Sequence, residues 1–119
     1  MKILKYALII VLVVLIGGFL YFMNRTPASP FKIEEFVKDS LRLEVNYSRP
    51  YKKNRLIFGS ETEALVPYGK YWRLGADAAT TFESNLDINF GGTKINSGKY
   101  RMYAVPNKNS WKITLNSEP

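Results

Sequence analysis

The residues best equipped for chemistry lie together between Arg49 and Asp77. Arg49, Arg55 and Arg73 carry planar, permanently charged guanidinium groups suited to carboxylate or phosphate groups. Tyr68, Tyr71 and Trp72 offer flat apolar faces that stack on a sugar ring or hold a cation. Asp77 can balance an arginine or accept hydrogen bonds from hydroxyl groups. A concave site built from Arg49, Arg55, Tyr68, Trp72, Arg73 and Asp77 would suit an anionic or hydroxylated ligand, such as a cell-envelope glycan. The same residues have an architectural reading. Trp72, near Val66 and Leu74, can cover one end of a core. Arg49 and Arg73 can bond loop carbonyls or pair with Asp77. Pro50, Pro67, Gly59, Gly69 and Gly75 fix turns.

Lys52 and Lys53, with Arg49 and Arg55, form a local basic cluster. It reads either as a solvated loop or as a contact for anionic lipid headgroups or envelope polymers. Catalysis has little to work with. The chain has no Cys and no His, which excludes disulfides, thiolate nucleophiles, a lipoprotein cysteine and the commonest general base. Ser48 and Ser97 have no histidine to activate them. Asp77, Glu83 and Asp87 are close in sequence, but strands can point them to different faces. Glu61 and Glu63 share a side only if extended. No Asp-rich calcium pattern occurs. No catalytic residue, metal ligand or cofactor is assigned. The leaning is toward binding, with an enzyme on an envelope carbohydrate or anionic substrate as the alternative.

These residues need elements to position them, and the first is hydrophobic. Tyr6–Met23 is an uninterrupted stretch of 18 residues without a charge. As a helix it spans about 27 Å, close to the hydrocarbon thickness of a bilayer. Lys2 and Lys5 precede it and Arg25 follows, so the positive-inside bias puts the N-terminus in the cytoplasm and the rest outside. A cleaved signal peptide is the rival, but its apolar region is shorter and ends at an A-x-A-like site. The expectation is an uncleaved signal anchor over 1–24, a linker over 25–30 and one domain over 31–119, periplasmic or extracellular. Cleavage would make that domain secreted. Without Lys2, Lys5 and Arg25, the 17 basic side chains become 14 against 10 acidic ones, a net +4. That bias is too mild for a nucleic-acid surface, and no nucleic-acid partner is expected.

The remainder alternates with a period of two. Leu41, Leu43, Val45 and Tyr47 face one way, with Arg42, Glu44, Asn46 and Ser48 opposite. Leu86, Ile88 and Phe90 alternate similarly, as do Tyr100, Met102 and Ala104, and Trp111, Ile113 and Leu115. Each predicts a half-buried antiparallel strand. Phe31–Val37 and Ala79–Glu83 add two more, and Gly91-Gly92-Thr93, Asn96-Ser97-Gly98 and 106–110 read as turns. The expected class is all-β, an antiparallel β-sandwich preceded by one transmembrane helix.

Ordered motifs sharpen this. They are Tyr47-Ser48-Arg49-Pro50; Lys53-Asn54-Arg55 with Ile57-Phe58-Gly59; Leu65-Val66-Pro67-Tyr68-Gly69 with Trp72-Arg73; and the run from Gly75 to Thr81. Ser97-Gly98-Lys99-Tyr100, Val105-Pro106 and the Trp111 strand follow. Over about residues 29–116 the chain resembles the bacterial domain-of-unknown-function 2911 family. The resemblance implies a secreted or envelope-anchored β-sandwich and no particular activity. The family has Gly where Asn54 stands, and Asn can take the same left-handed backbone. It has Asn where Asp77 stands, and Ser60–Ala64 resembles a small acidic insertion. Family members continue past the Trp111 strand with further strands. The sheet is therefore expected to be incomplete at its C-terminal side, with an open edge that self-association or a partner strand could complete.

Overall fold

The computed structural model describes residues 1–117, so the expected domain end at Pro119 lies outside the described residues. Helix α1 (Lys2–Asn24) is apolar on every face from Tyr6 to Met23 yet has no buried residue within the chain, so its apolar surface has no protein cover. It ends where Arg25 turns extended, just before the Thr26-Pro27 pair, and a residue preceding proline disfavours the helical region. Asn24 Nδ2 donates to the Leu20 carbonyl at 2.9 Å, a side-chain bond back onto the preceding turn. α1 is long and apolar enough to cross a membrane, and an N-terminal signal sequence meets the same criterion.

Among the described residues nine strands follow: β1 (Phe31–Lys38), β2 (Leu41–Ser48), β3 (Phe58–Gly59), β4 (Val66–Pro67), β5 (Thr81–Ser84), β6 (Ile88–Phe90), β7 (Thr93–Ile95), β8 (Gly98–Pro106) and β9 (Trp111–Asn116). Five form one antiparallel sheet in the order β1-β2-β5-β8-β9. The β1–β2 turn is tight, and Asp39 takes a φ of 53° there, a region its short polar side chain tolerates. The register sorts the faces as alternation requires. Val45, Phe82 and Tyr100 lie in one row across β2, β5 and β8, and Met102 sits beside Leu115 and Ala104 beside Ile113. The other face carries rows such as Glu44, Glu83 and Lys99.

The expected strands are largely present, and antiparallel pairing dominates. The opposite layer is thinner than a second sheet. The β3–β4 ladder has two residues in each strand and is parallel, and the β6–β7 hairpin has three in each. Both pack on the apolar face, through Phe58 against Trp111 and Phe90 against Phe82. The full sandwich is thus reduced to one five-stranded sheet and two short ladders. Proline, glycine and left-handed residues interrupt 49–80 too often for longer strands there. Thr93, read as a turn residue, instead opens β7. The apolar core is correspondingly small: Val66, Phe82 and Ala104 are the buried hydrophobic residues among those described. Among the described residues, β1 and β9 are the outer strands of the sheet.

Candidate functional site

The connection from β2 to β5 builds the site, and backbone bonds hold it at intervals. Arg49 N donates to the Pro30 carbonyl at 2.9 Å. Lys53 and Asn54 then take positive φ values of 51° and 57°, so Asn54 has the left-handed backbone expected of it. Arg55 locks this turn. Its Nε donates to the Lys52 carbonyl at 2.9 Å and its Nη2 to the Tyr51 carbonyl at 2.7 Å. Further on, Trp72 pairs with Ala104 of β8 through two backbone bonds of 2.7 and 2.9 Å, and Gly69 N reaches the Pro106 carbonyl at 2.9 Å. These two contacts occupy the flank of β8 that β5 leaves free beyond Thr80.

The 74–77 bend is the tightest part. Leu74, Gly75 and Asp77 all have positive φ, at 61°, 87° and 61°. Arg73 Nη2 donates to the Asp77 carbonyl at 2.6 Å, and the Thr80 hydroxyl donates to the Leu74 carbonyl. Gly75 lies against the Ser48 backbone carbonyl so closely that a Cβ would overlap it. Trp72 makes edge-on contacts with Phe58 and Trp111, at centroid distances of 5.2 and 5.9 Å. This aromatic group pins the loop to the end of the sheet.

Between loop and sheet lies a groove of about 530 Å³. Val45, Tyr47 and Met102 supply the sheet side, and Ile57, Phe58, Val66, Trp72 and Leu74 the loop side. Lys52 and Arg55 stand among its lining residues, which include no carboxylate. The volume falls within the usual range for small-molecule sites, about 300–1,000 Å³, and such sites are mostly apolar with a few polar groups.

The structure gathers part of the candidate set and disperses the rest. Arg55 and Trp72 both line the groove. Arg73 lies in a second, more open depression with Tyr71 and Tyr103, whose rings meet edge-on at 6.4 Å. Trp72 and Arg73 share a shallower depression with Leu65, Val66 and Gly75. Arg49, Tyr68 and Asp77 line none of these three, and Arg49 has no side-chain partner among the described residues. Asp77 meets Arg73 through its backbone carbonyl rather than its carboxylate. Arg73 therefore bonds a loop carbonyl, as the architectural reading allows, and Arg55 does the same where that reading names Arg49. The sheet residues Val45 and Met102, which line the groove, are not among the candidates, because alternation marks them as core whatever covers them.

The family described as "Protein of unknown function (DUF2911)" matches residues 29–119. The chain belongs to the DUF2911 family. The match takes in all nine strands and the 49–80 loop and leaves out α1. No curated protein and no solved structure matches the chain. Membership in DUF2911 thus carries no reaction with it, and the chemistry of this member has to be read from its groove. An apolar groove with cationic groups among its lining residues can hold a hydrophobic body and orient it by charge.

Proposed function

We propose that this protein is a membrane-anchored, exported binding module of the cell envelope. In this reading α1 stays in the bilayer with its N-terminus in the cytoplasm, and the β domain, an incomplete sandwich, faces the periplasm or the exterior. The groove between the sheet and the 49–80 loop holds the ligand. The observation that carries the reading is that groove, apolar, of small-molecule size, and lined partly by the loop. The unbroken apolar stretch Tyr6–Met23 of α1 and the lysines in its first turn support the anchor.

The absence of native cysteine makes the topology directly testable. A Ser60→Cys chain places one thiol on an exposed loop residue. A membrane-impermeant maleimide should label it in intact cells, and labelling only after permeabilisation would refute export. Ligand capacity is tested through the two tryptophans, which touch each other beside the groove. A brominated long-chain alcohol should quench their fluorescence in the full chain held in lipid nanodiscs. Leu65→Asp, an exposed lining residue, should remove that response.

A second reading has its own observation. Phe31, Ile33, Phe36 and Val37 on edge strand β1 are each more than half exposed. An apolar, unpaired edge favours self-association or capture of a partner strand, and a strictly monomeric chain in nanodiscs would count against it.

A further inference from the structure

We infer that the groove takes a single-chain anionic amphiphile, one acyl chain with a carboxylate or phosphate head, drawn from the adjoining membrane surface. The inference rests on the binding-module reading and adds the ligand's class. Three observations lead to it. The groove is lined mainly by hydrocarbon, from Val45 and Met102 on the sheet to Ile57 and Trp72 on the loop. That lining offers few partners to a hydroxyl-rich glycan, whose buried polar groups would go unsatisfied. An acyl chain has none to satisfy.

The second observation is charge. Lys52 and Arg55 line the groove with no carboxylate among its lining residues. Arg55 is held in place by the carbonyls of Tyr51 and Lys52, so its charge stands fixed. Lys52 has no ion-pair partner among the described residues. A negative head meets complementary charge there, and a neutral head does not.

The third is position. Tyr51 lines both the groove and the cleft at the end of α1, where it stands with Tyr21, Arg25 and Lys53. That cleft also includes no carboxylate among its lining residues. Arg25 and Lys53 line the cleft, Lys52 and Arg55 line the groove, and Tyr51 is common to both, with no acid among the lining residues of either. Where α1 crosses a bilayer, its last turn lies at the headgroup level, and the shared Tyr51 sets the cationic cleft at that level beside the groove. An amphiphile can pass from cleft to groove with its head on the basic side chains and its chain entering the apolar groove.

The test uses the full chain in zwitterionic lipid nanodiscs and two probes of equal chain length, dibromostearic acid and dibromo-octadecanol. The acid should quench Trp72 and Trp111 saturably, at least tenfold more effectively than the alcohol, and unbrominated stearic acid should reverse it. Lys52→Glu combined with Lys53→Glu, both on exposed side chains, should weaken the acid roughly tenfold and leave the alcohol unchanged. Equal quenching by acid and alcohol would overturn the anionic class while leaving the binding module intact. Quenching by neither would overturn both. Quenching by brominated phosphatidylcholine that stearic acid does not compete away would overturn the single-chain ligand, because two-chain bilayer lipid would then be reaching the rings.

Discussion

Gly75 is the residue on which the site geometry turns. Its φ of 87° is costly for any residue with a Cβ, and the Ser48 carbonyl occupies the space a methyl group would need. Gly75→Ala should therefore lower unfolding stability by about 1–3 kcal/mol, read from chemical denaturation, because strain and overlap both act in the folded state. Arg73 is a milder case. Its guanidinium bonds one carbonyl from an exposed position. Arg73→Ala should fold and lose only about 1 kcal/mol. At this scale sequence reasoning named residues by type and left their partners open. Asn54 was legible because a left-handed backbone suits Asn. The bonds of Arg55 and Arg73 were not, because a guanidinium serves a ligand's carboxylate and a loop carbonyl equally well, and only the fold decides which lies within reach.

Among the elements, long half-buried strands were legible because burial of one face imposes a period of two. β8 follows it, with Ala104 and Pro106 buried around Val105. β2 instead buries Asn46 and Ser48 more than Tyr47, and β9 leaves Trp111 and Ile113 exposed, so those two carry the period in sequence and register rather than in burial. Two-residue strands carry no period, so β3 and β4 left no trace in the pattern, and their pairing is set by how the connection folds back. The groove was illegible for a related reason: apolar alternation marks a face that avoids water without saying whether protein or ligand covers it. What fixes the loop to that face is the Phe58, Trp72 and Trp111 group, with centroid distances of 5.0–5.9 Å. Trp111 is about half exposed, so its area contributes less than that of a core tryptophan, but it makes two ring contacts. Trp111→Ala should cost about 1–3 kcal/mol and increase amide hydrogen exchange across 56–74 more than in β1–β2. On β1, Ile33→Lys replaces an exposed apolar side chain on the open edge. It should change unfolding stability by less than about 0.5 kcal/mol while reducing any self-association seen by light scattering.

The whole molecule joins an apolar helix to a small sheet whose core is thin, so much of its order depends on contacts far apart in sequence. β8 shows this best. Its flank is completed by three separate pieces of chain: β5, then Trp72, then Gly69. The β1–β2 and β8–β9 hairpins need only short closures, whereas Trp72 meets Ala104 across 32 positions of chain. Closing that distance costs entropy before any contact rewards it. The hairpins should therefore form early and the loop should dock last, after the rate-limiting step. Trp72→Phe should then accelerate unfolding while hardly slowing refolding, giving a φ-value near zero in stopped-flow chevrons, whereas Phe82→Leu in the central strand should slow refolding. The stitched flank of β8 thus acts as a late-closing latch: the sheet reaches its native pairing first, and the groove comes into being only when the latch is set.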